Sequence, residues 1–491
     1  MNQVVIISVL ITGAVLAALA ATLGMAGTVH LTSRRTHGYM HLIFYALLFT
    51  AALSSLLSGR DFANASINIS QQAAPGRHPI MMFAQPLISL LILTVAGERI
   101  VTHWLKRDKS AHAPALLLVT FLVFWAGTVA APALMGAHPY LAHDYVYPLV
   151  MGIAALLVNG AERDLAVRAA RNALVLFVAA GLLLIPFKTS LMLDTSYAQG
   201  MFQGVPRLAG LASHPVTLGL LSQLGLLCLM AFPYQRNWLN RLAWMIGLGS
   251  LFMAQSKTAW IAFTLCSVCI LAVRRGPAWW RRVSDPARPE SGVVSVLLFM
   301  VAVASISLVL IFADLGSRWV SFFDSAEGAQ FASLTGRDLI WAIAYDEWQR
   351  NPLFGYGPTL WDESFRAVIG MPNATSAHNQ FMDTLSRSGS VGALALTLYA
   401  LVLLVLSLYY ARASRGLSLA LFVALIVRSV SEVPLSLFGY GTELITHILL
   451  LITLAASAGE ARVRLAQSTE DRKHAPVNPA RDPLAPARFS L

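Results

Sequence analysis

Apolar residues fall in long unbroken blocks along this chain, separated by short polar stretches, and they do not alternate with polar ones at period two. Blocks of about 17 to 23 residues suit helices that cross a ~30 Å hydrocarbon core, whereas membrane strands would alternate. The pattern predicts an all-α polytopic membrane protein with spans near 4–27, 39–58, 79–101, 114–135, 145–160, 172–187, 212–232, 241–254, 257–273, 293–313, 391–410, 417–433 and 441–458. The shortest of these leave about twelve or thirteen as the count. The chain thus divides into an N-terminal bundle (1–313), a large polar loop with short helices (314–390), the C-terminal spans (391–458) and a tail (459–491). The tail, rich in Arg, Pro and Ala, reads as disordered.

Composition agrees with the pattern. The chain is 57% hydrophobic and 12% charged, about half the charged fraction of an ordinary soluble domain. Its net charge of +11 would suggest nucleic acid in a soluble protein, but the basic residues sit in short loops between spans. Membrane lipids, not nucleic acid, are therefore the expected surroundings. Basic groups at Arg34 and Arg35, at Lys106, Arg107 and Lys109, at Arg163, Arg168 and Arg171, at Arg236 and Arg241, at Arg274 to Arg282, and at Arg412 and Arg415 fall on one side when the spans alternate. That side is assigned to the cytoplasm. The loops 59–77, 188–211 and 314–390 then face outward. Cys228, Cys266 and Cys269 all lie in predicted spans, so neither a disulfide framework nor a zinc site is expected. The run Val4 to Leu23 lacks a basic leader and is read as a retained helix.

The outer segment 314–390 has internal order. Thr335-Gly336-Arg337-Asp338 reads as a capping box. Leu339, Ile343 and Trp348, flanked by Trp341 and Tyr345, then give an apolar face up to Arg350, and Asn351-Pro352 stops that helix. Phe354 to Pro358 is a turn and Thr359 to Ile369 a second short helix. Together they are expected to lie across the outer mouth of the bundle as a lid.

The candidate chemistry lies just beyond, in Ser376 to Gly392, SAHNQFMDTLSRSGSVG. His378 follows a small, flexible run and precedes a short helix expected over Asn379 to Arg387. A neutral imidazole there could take a proton from a hydroxyl, the competing reading being one more structural histidine among 12. Gly389 and Gly392 read as a helix C-cap and as close packing at the start of the next span. Cations on the outer side are few. Arg207 stands just before a span, with His214-Pro215 following. Lys257 sits in a tight turn and Arg337 in the first turn of the lid helix, where the macrodipole disfavours it unless it has a partner. Converging cations of this kind suit a pyrophosphate, the alternatives being lipid head groups or salt bridges. Arg318, Arg350, Arg366 and Arg387 read as solvated, and Arg428 with Glu432, four apart in one span, as a structural pair. The first outer loop, Gly59 to Arg77, has Asp61 as its only acid and so no paired carboxylates spaced to hold a divalent metal, and nothing resembles a Walker loop or dinucleotide fingerprint, so no metal and no cofactor is expected.

His378-Asn379 with Gly389 and Gly392, in the large outer loop of a many-span protein, resembles the bacterial O-antigen ligases. That family shares a superfamily with the O-antigen polymerases and the O-linked protein oligosaccharyltransferases. Arg207-Leu208-Ala209-Gly210 with Ser213-His214-Pro215, Gln255-Ser256-Lys257, and Thr335-Gly336-Arg337 leading to Asn351-Pro352-Leu353-Phe354-Gly355-Tyr356-Gly357 extend the resemblance over about 200–435. Lys257 stands where many relatives carry arginine; it keeps the charge but loses the bidentate fork. The resemblance implies transfer of a polysaccharide from undecaprenyl pyrophosphate to a sugar hydroxyl of lipid A-core on the periplasmic face of the inner membrane. His378 would be the base, Arg207, Arg337 and Lys257 the pyrophosphate clamp, with Asn379 and His214 in support. No nucleophile suited to a covalent glycosyl-enzyme stands out, which favours a single inverting displacement. A polymerase or protein-glycosylating relative with the same donor, and a lipid or glycan transporter, remain the alternative readings.

Overall fold

The computed structural model describes residues 38–62, 78–106, 114–195, 204–287, 337–372 and 374–474, with isolated positions in 23–27 and 289–304. The spans expected at 4–27 and 293–313 lie almost wholly outside the described residues, as does the Thr335-Gly336 start of the capping box. Every other expected span falls on a helix. In chain order these are α1 (Leu42–Leu57), α2 (Pro79–Lys106), α3 (Ala115–Met135), α4 (Val146–Leu156), α5 (Gly160–Leu183), α6 (Pro215–Ala231), α7 (Asn237–Met253) and α8 (Lys257–Val283). The lid helices α9 (Arg337–Arg350) and α10 (Glu363–Val368) follow, then α11 (Gln380–Tyr409), α12 (Leu417–Ser429) and α13 (Leu444–His474). Between α5 and α6 a two-residue antiparallel ribbon pairs β1 (Leu193–Asp194) with β2 (Arg207–Leu208). Six of these helices, α2, α3, α5, α8, α11 and α13, are long and apolar enough to cross a membrane, and α1, α6 and α12 are shorter apolar ones.

α13 is the central helix: 89% of its apolar window is buried inside the protein, against 22% for α8, which is left to face lipid. It packs on α4, α5 and α12, while α11 packs on α3, α9 and α12. Between helices in lipid, close approach through small residues replaces the hydrophobic drive. α3 and α11 meet this way, since a Cβ on Gly127 would stand 2.8 Å from the Cβ of Ala395, and Ser388 Oγ donates to the Thr128 carbonyl at 2.8 Å.

Three boundaries differ from expectation. α5 starts at Gly160, because Asn159 and Glu162 form a reciprocal capping box, with Asn159 Oδ1 accepting from the Glu162 amide at 3.0 Å and Glu162 Oε2 from the Asn159 amide at 3.2 Å. Arg163, Arg168 and Arg171, expected in a loop, therefore lie on the helix. The motif and the following span are one helix: α11 begins at Gln380, so the polar segment does not run to residue 390. At the other end, α13 continues to His474, through the start of the tail expected to be disordered from 459. Glu460 on that extension pairs with Arg163 at 3.1 Å and ties its first turn to α5.

α11 is kinked at Gly389, whose φ of 63° and ψ of −164° leave the helical region. The break frees backbone groups, and the lid strap takes them up. The amides of Tyr356 and Gly357 donate to the carbonyls of Ser386 and Arg387 at 2.8 and 2.9 Å. Those of Ser390 and Val391 donate to Pro352 and Leu353 at 2.8 and 3.2 Å. Gly355 and Gly357 turn the strap with φ of 69° and 119°, and the amides of Ala137 and His138, just past α3, bond to its other edge. Gly389 is thus a kink clamped by the strap, more than the simple C-cap expected, and Gly392 provides the close packing that was expected of it.

The lid has its own small core of Ala344, Leu360, Trp361, Phe365, Ala374 and Ala377, with Ile340, Trp341 and Ile343 packed against it. Its apolar face is accordingly rotated from the expected one, and Leu339 and Tyr345 are exposed.

Candidate active site

His378 sits immediately before the Asn379 N-cap of α11, whose Oδ1 accepts from the Met382 amide at 3.1 Å. Its φ of 47° is in the left-handed region that a non-glycine residue seldom adopts. Such strain persists only where the surroundings enforce it, and here they do. The Ala377 carbonyl accepts from Trp341 Nε1 of α9 at 2.9 Å, and the Ala377 amide donates to Asp383 Oδ1 at 3.0 Å. Asp383 is itself held by Arg387 Nε at 3.0 Å, and Arg387 Nη1 donates to the Pro358 carbonyl at 2.7 Å. Arg387, read from the sequence as solvated, is therefore a partly buried strut between helix and lid.

The imidazole meets a carboxylate. His378 Nδ1 lies 3.5 Å from Glu432 Oε2, with the two side chains 28% and 27% exposed. This corrects the expected Arg428–Glu432 ion pair: the Glu432 amide still donates to the Arg428 carbonyl at 2.8 Å, but its carboxylate turns to His378 while Arg428 pairs with Glu443. α11 holds the turn that carries Glu432. Asn379 Nδ2 donates to the Val430 carbonyl at 3.4 Å, and Gln380 Oε1 accepts from the Leu435 amide at 2.8 Å. Burial raises the Glu432 carboxyl, but His378, Arg428 and Arg337 together outweigh it and hold the group below its ordinary value.

Arg207 is buried on β2, opposite Asp194 in the ribbon register, and its Nε donates to the Ala254 carbonyl at 3.3 Å. Gln255 Nε2 donates to the Val205 carbonyl at 3.1 Å, docking the α7–α8 turn on the same ribbon. His214 caps α6, its Nδ1 accepting from the Val216 amide at 3.3 Å. Its imidazole is held below its ordinary value, first by desolvation among the crowded outer loops and next by the Arg207 cation, with His378 adding to this and Asp194 and Glu432 opposing. Arg337, at the first position of α9, is one of the charges acting on Glu432.

His378, Glu432, Arg337, His214, Arg207 and Asp194 therefore occupy one electrostatic neighbourhood at the lid end of the bundle. Asn379 belongs to it as the link between α11 and the Glu432 turn. Lys257 does not join them: it is the exposed first residue of α8, one turn from the Ala254 carbonyl that Arg207 contacts, with no hydrogen bond or ion pair among the described residues. Sequence reasoning missed Glu432 as a partner of His378, and Trp341 and Asp383 as supports of its backbone. For Glu432 a signal existed, an acid just past the outer end of a span where charges are few. Among the described residues no group of three or more His, Cys, Asp or Glu could hold a metal ion.

Helices that cross a membrane, capped at one end by a lid over a histidine, a carboxylate and arginines, define an all-α polytopic membrane protein with a polar site at its surface. Residues 242–397, from α7 into α11, match the family model described as O-antigen ligase, so this stretch is similar to that family. That match supports the O-antigen ligase and polymerase superfamily, whose members are in general membrane glycosyltransferase-like enzymes. No curated protein matches the chain. Lys257, Arg337, His378, Gly389 and Gly392 fall inside the matched stretch, whereas Arg207, His214 and Glu432 fall outside it.

Proposed function

We propose that this protein is an O-antigen ligase that transfers a polysaccharide from undecaprenyl pyrophosphate to a sugar hydroxyl of lipid A-core at the periplasmic face of the inner membrane. The observation that carries this reading is His378, held in a left-handed conformation with a carboxylate at one ring nitrogen and arginines around it. The acceptor hydroxyl is a weak nucleophile and needs a base as it attacks. His378 takes its proton while the oxygen bonds to the anomeric carbon. The bond from that carbon to the pyrophosphate breaks, and its electron pair leaves with undecaprenyl pyrophosphate. Arg207 and Arg337 meet the growing charge of this leaving group, so no general acid is required. Lys257, exposed at the rim, takes the outer phosphate or the head group as it enters. The protonated imidazole then returns its proton to water. One displacement of this kind inverts the anomeric centre.

The test is complementation of a strain that lacks its ligase, read as the ladder of capped lipopolysaccharide on a gel. The wild type restores the ladder. His378→Ala at matched membrane level loses it, with purified transfer down by at least about 100-fold. A ladder from His378→Ala would end the base assignment. No ladder from the inserted wild type, together with polymerisation of lipid-linked repeats or transfer to a secreted protein in vitro, would move the chain to a sister activity with the same donor.

A further inference from the structure

We infer that Glu432 is the positioning residue of the base: its carboxylate holds His378 with the proton on Nδ1 and so presents the Nε2 lone pair to the acceptor hydroxyl. The inference rests on the ligase reading and adds a residue outside the stretch that matches the family.

Two independent features of the geometry point to it. First, of the two ring nitrogens Nδ1 is the one shut off from solvent, and its nearest charged neighbour is Glu432 Oε2 at 3.5 Å. The exposure of the ring, 28% overall, therefore lies on its other atoms, and Nε2 is left for the open side beneath the lid. An ionised carboxylate can only accept, so facing Nδ1 it selects the tautomer that carries its hydrogen there. The present separation is longer than a formed hydrogen bond, as is common before substrate arrives, and it shortens when the ring gains charge. Second, α9 and α11 fix both partners. The backbone leading into His378 is fastened at Ala377 by Trp341 of α9 and Asp383 of α11, and the turn of Glu432 by Asn379 and Gln380, all through hydrogen bonds of 2.8 to 3.4 Å. A carboxylate left at a membrane surface merely to be solvated would not need its loop tied to the helix that carries the histidine.

The charges around this pair come from several elements: Arg428 of α12 and Arg337 of α9 act on Glu432, and His214 before α6 interacts with both Glu432 and His378 and is itself flanked by Arg207 of β2 and Asp194 of β1. Glu432 is a close negative partner of the imidazole, and it supports the positive charge that the ring acquires during attack. Burial raises the Glu432 carboxyl, but His378 and then Arg428 and Arg337 outweigh it and hold the group below its ordinary value, so it stays ionised throughout the neutral range and is not itself the group that titrates there.

The experiment uses the purified full-length chain and its Glu432→Gln, Glu432→Asp and His378→Ala forms. One readout needs no turnover: diethyl pyrocarbonate modifies neutral imidazole, and peptide mass spectrometry follows His378 alone across pH. Loss of the carboxylate makes the charged ring less favourable, so the pH of half-modification falls by about one unit in Glu432→Gln. In Glu432→Asp, which keeps the charge but withdraws it by one methylene, it falls less; this variant carries the test if Glu432→Gln does not fold. The second readout is transfer with lipid-linked donor and acceptor. Glu432→Gln lowers kcat by about 10- to 100-fold with the KM for donor little changed, and moves the acid limb of the rate profile to lower pH. An unmoved half-modification pH in both variants would overturn the inference while leaving His378 as base. Near-normal transfer by His378→Ala would instead remove the ligase base on which it rests, whatever the modification profile.

Discussion

Arg60 shows how single residues build this site from a distance. It lies just past α1, in the first outer loop, and its guanidinium reaches across to the segment between β2 and α6. Nε donates to the Leu191 carbonyl and Nη1 to that of Ser213, each at 3.1 Å, with further bonds to Ala212 and Gly210. Burial pushes the group down to about 10, which leaves it protonated at neutral pH. It thus fastens the loop that carries Arg207 at one end and His214 at the other. Arg60→Ala is expected to cost about 1–3 kcal/mol in thermal unfolding, and to raise the KM for donor more than it lowers kcat, because it loosens a clamp and leaves the base alone. Kinetics in parallel with a melting curve separate these effects. Nothing in the sequence singles out Arg60, since its partners are backbone carbonyls about 130 to 150 positions away, invisible to any local pattern. His378 was legible because its motif is local. Glu432, 54 positions further on, was read with the neighbour four residues away and found instead against the histidine.

At the level of elements, the kink in α11 organises the outer surface. A helix broken at Gly389 exposes two carbonyls and two amides, and the Pro352–Gly357 strap satisfies all four. The lid is thereby registered against the very helix whose first turn follows His378. A Cβ at Gly389 would stand 2.3 Å from the carbonyl carbon and oxygen of Leu353, and φ is left-handed there. Gly389→Ala therefore combines strain with a backbone clash, and is expected to destabilise the protein by at least about 3 kcal/mol. Limited proteolysis in the lid at 25 °C would read this as faster cleavage between α9 and α11. Cleavage at the wild-type rate would show that the strap is not needed for lid order. The sequence indicated glycines, a turn and a stop signal in the right places. It could not indicate that a turn and a broken helix 30 residues apart complete each other's hydrogen bonds, because either one could have been satisfied by water.

For the whole molecule, contacts at the two ends of the bundle join segments far apart in the chain. Arg60 with Ala212, Ala137 with Gly355 and Asn379 with Val430 lie at one end. Arg163 with Glu460, and Arg274 with the Arg415 and Met230 carbonyls, lie at the other. The two ends carry the charge asymmetry expected of an inside and an outside. Val368, 85% exposed on the lid, and Ser284, exposed past the inner end of α8, therefore lie on opposite faces. A membrane-impermeant maleimide is expected to label Val368→Cys in intact spheroplasts and Ser284→Cys only after lysis; the reverse would invert the topology and place the site in the cytoplasm. The sequence by itself determined that the chain is a membrane bundle, where its helices run, which end is basic, and which histidine carries the motif. These depend on composition and on spacing within a turn or two, since a backbone in lipid must form helices or a closed barrel, and unbroken apolar blocks select the helix. Only the tertiary structure decided that Glu432 faces His378, that α13 is central, and that Arg207, His214 and Arg337 share one neighbourhood while Lys257 stands at its rim. Those relations join residues far apart in the chain, through packing that no local rule of hydropathy or charge encodes.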